Sequence, residues 1–197
     1  MRRVKRFLCI ACSSLLLAAH AERSNAAVDE ALDTLLTDCW DAVDGGGLDY
    51  LTPYKMAFHG VDEWQTAINE IWRGKAVTAS GEIDVKASIR EGVLFDCTLL
   101  TFPTPDGADA IEYYEAQDTL DHWFGARYAR PHHHDTFPEY RLHAMVRCDP
   151  RYWAVSASAT TMAPFIDEVL VGATEKLTGE LRFAAFITDA TRYEVCG

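Results

Sequence analysis

Strict alternation of apolar and polar residues over 76–89 is the feature that most constrains the fold. Small or apolar residues occupy every second position from Val77 to Ile89, and every position between them is polar. An α-helix cannot keep such a pattern on one face, whereas a half-buried β-strand can. We therefore expect one long, curved strand that bends or bulges at Gly81, where a strand interior is most easily distorted.

Further segments extend this strand into a sheet with helices between strands. A turn over 90–92 followed by inward-facing Val93, Phe95, Cys97 and Leu99 predicts a hairpin partner that ends near Phe102. Residues 109–124 predict an inserted helix, and residues 125–138 predict a surface loop because they lack periodicity. The other predicted elements are strands over 140–148, 152–159 and 180–187, a helix over 165–179, and a final short strand that ends in Cys196.

Two N-terminal helices are predicted before the first strand. Residues 28–44 carry apolar side chains at helical spacing and end at three glycines, a composition that favours a helix stop. Cys39 lies on the apolar face of this helix, so we expect it to tie the helix to the body of the protein. Residues 62–73 repeat the helical spacing, and Gly74 predicts the end of this second helix.

Residues 1–27 predict a cleavable export signal. Four basic residues precede an apolar run over 7–19, which is shorter than the roughly 20 residues that a membrane-spanning helix needs. Small residues predict cleavage after Ala21 or Ala27, with no stable membrane anchor left in the mature chain. The rest, residues 28–197, is long enough for a single globular domain with a core of its own.

Four cysteines remain after the predicted cleavage: Cys39, Cys97, Cys148 and Cys196. An even number in an exported chain predicts two disulfides, in a periplasmic or secreted protein, with the pairing open among three alternatives. Their wide spacing argues against a thioredoxin-type motif and against a zinc ribbon. Because Cys97 and Cys148 fall on strands and Cys196 ends one, we expect at least one bridge to link two strands.

Charge narrows the classes of partner. The predicted signal holds five of the 18 Lys and Arg residues and one of the 30 Asp and Glu residues, which leaves 13 basic and 29 acidic residues and a net charge of −16. Such a surface repels phosphate backbones and anionic lipid, so nucleic acid is excluded as a partner bound by charge. A protein or a small molecule is the expected partner.

The order of elements after residue 75 resembles the five-stranded OB barrel of exported bacterial OB-fold-like proteins. Two segments carry the resemblance, Trp72-Arg73-Gly74-Lys75-Ala76-Val77-Thr78-Ala79-Ser80-Gly81-Glu82-Ile83 and Leu177-Thr178-Gly179-Glu180-Leu181-Arg182-Phe183. It implies an α+β protein in which N-terminal helices over 28–73 pack on an OB-like body over 76–197. The alternative is an α+β sheet with helices on one face, of the NTF2-like or cystatin-like kind.

The histidine cluster at 132–134, followed by Asp135, is the candidate metal site. Imidazole and carboxylate groups bind transition metals such as zinc, copper or nickel. In an extended chain neighbouring side chains diverge, so His132 and His134 form the natural pair, with Asp135 as a further candidate ligand. No His-Glu-x-x-His framework accompanies them. No other cofactor and no catalytic residue is predicted.

The sequence lacks a nucleophile elbow and a phosphate-binding glycine loop. The preferred interpretation is therefore an exported, disulfide-stabilised, non-catalytic binding module. One alternative is a metal-dependent hydrolase of a cell-envelope substrate that uses the histidine cluster. The other is a periplasmic immunity-type inhibitor whose acidic surface covers a basic toxin.

Overall fold

The computed structural model of the chain describes residues 28–45, 47–64, 67–101, 111–127, 132–137, 142–149, 153–162, 178–189 and 196. The predicted export signal over 1–27 and the predicted helix marked by Phe165 to Leu177 lie outside the described residues, as does all of the predicted last strand except Cys196. In the described part of the chain, no helix combines the length and the apolar character needed to cross a membrane.

The described elements are mostly β-strands. The helices are α1 (Glu30–Gly45), a 3-10 helix η1 (Leu48–Tyr54) and α2 (Tyr113–Arg127). The strands are β1 (Ala57–Trp64), β2 (Ala67–Val77), β3 (Glu82–Arg90), β4 (Val93–Leu100), β5 (Ile111–Glu112), β6 (His132–Phe137), β7 (Leu142–Asp149), β8 (Trp153–Met162) and β9 (Thr178–Asp189).

These strands build one antiparallel sheet. Its order is β1-β2-β3-β4-β9-β8-β7-β6, and the short β5 pairs separately with β9. The α+β class and the antiparallel sheet are thereby confirmed. The sheet is open, with β1 and β6 at its two edges, so the predicted five-stranded OB-like barrel is not confirmed.

The order of elements repeats along the chain. In each half a helix precedes four strands that pair in succession, α1 before β1 to β4 and α2 before β6 to β9. The last strands of the halves, β4 and β9, pair with each other at the centre of the sheet. Among the described elements, two helix-and-meander units are therefore joined into one sheet.

Both α-helices pack on the same face of the sheet and on each other. The apolar spacing of α1 is confirmed, because one side of the helix is buried: Leu32, Leu35, Leu36, Cys39, Trp40, Ala42 and Val43. Trp123 of α2 is fully buried and makes edge-to-face contacts with Trp40 and Phe183 at centroid distances of 6.1 and 5.4 Å. Such aromatic contacts add to the stabilisation from burial itself.

The buried carboxylate of Asp29 joins three elements. As the N-cap of α1, its Oδ1 accepts hydrogen bonds from the backbone N–H groups of Ala31 and Leu32, both at 3.1 Å. Its Oδ2 accepts from the backbone N–H and the hydroxyl of Ser80 in the turn between β2 and β3, both at 2.6 Å. Its own N–H donates to the Thr119 hydroxyl of α2 at 3.0 Å.

The second predicted helix, over 62–73, is wrong. Residues 62–64 belong to β1 and residues 67–73 to β2, and these two strands pair antiparallel, so they form part of the sheet and do not pack on it as a separate helical segment. The long strand predicted over 76–89 is also wrong as a single element. A tight turn divides it, in which Thr78 and Gly81 exchange backbone hydrogen bonds of 2.9 and 3.3 Å.

Other expectations hold with shifted bounds. The hairpin of β3 and β4 with its turn near Gly92, the inserted helix α2, and strands β7, β8 and β9 are confirmed. The surface loop predicted over 125–138 is wrong in part, because α2 continues to Arg127 and residues 132–137 form β6. In β4, a β-bulge at Phe95 puts Leu94 in the core in place of Val93, which is exposed.

Candidate functional site

The residues predicted to bind a metal lie on the edge strand β6. In its pairing with β7, His132 is opposite Arg147, His134 is opposite Met145, and Asp135 is opposite Ala144. The side chains of these three residues are outside what the structure describes, so their metal binding stays a prediction. Among the described residues, no three His, Cys, Asp or Glu side chains are grouped so as to hold a metal ion.

His143 of β7 is buried on the helix side of the sheet. Its Nε2 lies 2.6 Å from Oδ1 of Asp121 on α2, and its ring stacks on Phe124 at a centroid distance of 5.0 Å. The pair links the second helix to the sheet. These contacts are those of a histidine that helps to hold α2 in place.

The four cysteines form two disulfides, Cys39–Cys97 and Cys148–Cys196. The first ties α1 to β4 and confirms that Cys39 anchors the helix to the body. The second joins β7 to Cys196, and because the strand predicted to end at Cys196 otherwise lies outside the described residues, a bridge between two strands stays a prediction. Cys196 lies beyond the end of β9 and packs with Cys148 against Val146.

The sheet face opposite the helices is not covered by any described helix. Register assigns side chains to this face: Arg73 of β2 is opposite Lys86 of β3, and Lys86 is opposite Thr98 of β4. Residues directly opposite each other in an antiparallel pair point to the same side of the sheet. Between them in sequence, Val85 points to the other side and is buried in the core.

A groove of about 650 Å³ runs over this face of β2, β3 and β4. Its lining comprises Arg73, Lys75, Asp84, Lys86, Thr98 and Leu100 on this face, together with Gly74 and Val85, which lie between them in sequence along the groove floor. Its size is within the range of 300–1,000 Å³ that is typical of small-molecule sites. Three cationic side chains and one carboxylate line it, so the groove is more positive than the strongly acidic chain that contains it. We call it the sheet groove.

The charges of the sheet groove are unequally compensated. Lys75 makes an ion pair with Glu82. Arg73 is exposed and makes no side-chain hydrogen bond or ion pair with any residue that the structure describes. Its direct neighbour across the strands is Lys86, and like charges in directly opposite positions destabilise a sheet. Lys86 is partly compensated by the nearby carboxylate of Asp96, so the uncompensated charge of the pair is that of Arg73.

Asp96 lies beside the groove at the β-bulge of β4. Its carboxylate accepts hydrogen bonds from the hydroxyls of Ser88 at 3.1 Å and Thr98 at 3.2 Å. Burial raises the pKa of Asp96 above its ordinary value, although these two hydrogen bonds and the charge of Lys86 act in the opposite direction. The hydroxyl of Thr98 is thereby oriented at the wall of the groove.

Sequence reasoning missed the sheet groove. Arg73 fell in the predicted helix over 62–73, and Lys86 was one of the polar positions of the alternating strand. The sequence contained one usable signal, the turn over 78–81. If Ala79 and Ser80 are taken as a two-residue hairpin loop, the pairing of the two strands places Arg73 opposite Lys86. The charge pattern of the sequence did not indicate the groove, because neither Arg73 nor Lys86 lies in a long run of basic residues.

Comparison with known proteins gives no relative from which a site could be transferred. No protein family, curated protein or solved structure matches this chain.

Proposed function

We propose that the protein is an exported, disulfide-stabilised, non-catalytic binding module that holds a small molecule in the sheet groove. One observation carries this proposal: the described helices cover only one face of the sheet, and the other face has a groove of about 650 Å³ with polar and charged walls. Rigid sheets that carry a concave, partly polar surface suit ligand binding because their backbone is fixed before the ligand arrives.

Export is part of the proposal. It is supported by the basic and apolar segments of residues 1–27 and by two disulfides, which persist in oxidising compartments. The bridge between Cys39 and Cys97 lies in the core and fixes α1 over β4. It thereby supports, from the opposite side, the strand that forms one wall of the groove.

Screening the mature protein, residues 28–197, against a fragment library with anionic, cationic and uncharged members tests the proposal. We expect some fragments to shift the backbone amide signals of 73–75, 84–86 and 98–100. Binding raises the free energy of unfolding, by about 2.7 kcal/mol at a ligand concentration one hundred times the Kd. Nuclear magnetic resonance titration and thermal unfolding measure the two effects.

A groove-filling variant makes the test specific. Thr98→Trp puts a large ring, which strands accommodate well, on the groove wall and should abolish binding. Thr34→Trp adds the same ring to the exposed side of α1 and should leave binding unchanged. The proposal is wrong if no fragment perturbs the groove amides, or if Thr98→Trp binds as tightly as the unaltered protein.

A second candidate is the immunity-type inhibitor. Helix α1 favours it, because this helix contains five acidic residues and no Lys or Arg. A basic partner protein would dock on this helical layer, and Thr34→Trp would then impair binding while Thr98→Trp would not. The hydrolase alternative depends on His132 and His134, and no described contact supports it.

A further inference from the structure

We propose that the ligand of the sheet groove is a small organic anion whose carboxylate or phosphate group is held between Arg73 and Lys86. This inference rests on the proposed function and adds the chemical class of the ligand. The two side chains occupy directly opposite positions on β2 and β3 and form one row with the hydroxyl of Thr98 on β4. The three residues thus occupy neighbouring positions across three strands, and because the Thr98 hydroxyl donates to Asp96, the guanidinium and the ammonium are the groups that would hold the anion.

The like-charge pair is the main argument for an anion. Two cations in directly opposite positions repel each other. Asp96 attracts Lys86, but no described carboxylate makes an ion pair with Arg73. The neighbouring positions show the usual solution, since Lys75 is opposite Asp84 and makes an ion pair with Glu82. An anion bound between Arg73 and Lys86 would remove the repulsion, and guanidinium groups match carboxylate and phosphate geometry.

The charge of the whole molecule limits the anion to a small one. The chain has a net charge of −12, and α1 on the other face of the sheet has only acidic charged residues. A long polyanion such as nucleic acid would extend beyond the groove and meet this negative surface. A compact anion engages only the local positive potential of the groove, and the groove volume suits it.

The experiment uses the mature protein with four probes: citrate, inorganic phosphate, spermidine and glucose. We expect citrate or phosphate, but neither spermidine nor glucose, to shift the amide signals of 73–75, 84–86 and 98–100. Stronger binding of citrate would identify a carboxylate ligand, and stronger binding of phosphate a phosphate ligand. Isothermal titration calorimetry gives the Kd of each probe.

Charge-removing variants separate binding from structure. Arg73→Gln and Lys86→Gln should each weaken binding of the anion roughly tenfold or more, because each loses a charge-assisted hydrogen bond. Arg73→Gln should also raise the Tm in the absence of added anion, since it removes the repulsion and leaves Lys86 beside Asp96. A purely structural role for these residues would not weaken binding while increasing stability. Lys55→Gln, which removes an exposed cation that does not line the groove, is the matched control and should change neither quantity.

Failure of this inference is distinguishable from failure of the proposed function. If uncharged or cationic fragments bind in a manner sensitive to Thr98→Trp and neither anion binds, the ligand class is overturned and the groove remains a binding site. If the anions bind equally well to Arg73→Gln and Lys86→Gln, the assigned residues are wrong. If nothing binds to the groove, both proposals fail.

Discussion

Asp29 and Asp96 are two acidic residues in opposite electrostatic environments. Burial raises the pKa of Asp29, but the hydrogen bonds from Ser80 and Leu32 outweigh this effect and hold the pKa below its ordinary value of 3.8. For Asp96 the balance is reversed, because burial outweighs the hydrogen bonds that it accepts. The first carboxylate thus stabilises the fold when ionised, whereas the ionised form of the second is disfavoured by folding.

Replacing each residue by asparagine should therefore change stability in opposite directions at neutral pH. Asp29→Asn places an amide N–H₂ among the N–H and O–H donors that surround the carboxylate, and leaving such groups unpaired costs about 1–3 kcal/mol. Asp96→Asn should be more stable than the unaltered protein, because it removes a buried charge and the hydroxyls of Ser88 and Thr98 can rotate to accept from an amide. Urea unfolding followed by tryptophan fluorescence measures both changes.

The pH dependence distinguishes electrostatics from packing. The stabilisation by Asp29 is present above the unfolded pKa of 3.8 and is lost as pH falls through its lower folded pKa. The contribution of Asp96 is present below 3.8 and is lost as pH rises through its raised folded pKa. Both variants should therefore approach the unaltered protein in stability as the solution is acidified. Differences that stay constant from pH 7 to pH 3 would contradict this account.

At the scale of elements, the lack of a side chain at Gly74 allows the end of η1 to pack closely against β2. A Cβ atom built on Gly74 would lie 2.3 Å from the backbone oxygen of Tyr54 and 2.6 Å from Sδ of Met56. The end of η1 can approach β2 this closely only because residue 74 has no side chain. Gly74, interpreted from sequence as a helix stop, instead provides space for a neighbouring backbone.

Gly74→Ala should consequently displace the end of η1 and lower the free energy of unfolding by about 1–3 kcal/mol, as overpacking does. Gly125→Ala is the matched control. It adds the same methyl group to an exposed position of α2 where no atom lies within 4 Å, and alanine favours a helix over glycine by about 1 kcal/mol. Thermal unfolding should show a lower Tm for the first variant and a higher one for the second; equal shifts would refute the packing argument.

The sequence pattern correctly predicted the elements in which the local periodicity of apolar residues agrees with the burial that the whole sheet imposes. The burial of α1 follows its apolar spacing, and β3 buries Ile83, Val85 and Ala87 as the alternation predicts. The prediction failed for β2, where Ala76 is buried and Val77 is 79% exposed. The reason is the turn: it pairs Val77 with Glu82, so an odd position before the turn shares a face with an even position after it.

The incorrect helix over 62–73 has a related cause. A window of about 12 residues with several aromatic and aliphatic side chains fits both helical and strand periods, and pairing with distant strands then decides. In the structure Ile71 is buried while Ile68 is 61% exposed, which no helical face would predict. The candidate groove could not be predicted from the sequence for the same reason, because it depends on which residues of β2 and β3 are opposite each other.

At the scale of the whole molecule, charge is distributed unevenly between the two faces. Among the eight Lys and Arg residues that the structure describes, five lie on the sheet face opposite the helices: Arg73, Lys75, Lys86, Arg90 and Arg182. Helix α1 on the other face has no Lys or Arg. The same face also carries the carboxylates of Glu82, Asp84, Asp96 and Glu180, so it is close to neutral and less negative than the face that holds α1.

The two disulfides also lie on different sides of the sheet, and this predicts the order in which they are reduced. Cys39 and Cys97 are fully buried beneath α1, whereas Cys148 and Cys196 are half-buried and pack against Val146. A reductant needs access to a sulfur atom, so the bridge between Cys148 and Cys196 should open first in the folded protein, and the core bridge only on global unfolding.

Mild dithiothreitol treatment followed by alkylation and mass mapping should accordingly label Cys148 and Cys196 while Cys39 and Cys97 stay joined. Each bridge spans a long stretch, 58 and 48 residues apart in sequence, so chain entropy predicts a similar stabilisation of roughly 4 kcal/mol for each. A difference in the order of reduction therefore reflects how easily the reductant reaches each sulfur atom, and not the length of the loop that the bridge closes. Labelling of Cys39 or Cys97 first would show that α1 separates from β4 in the native state, and the groove wall would lose its support from the core.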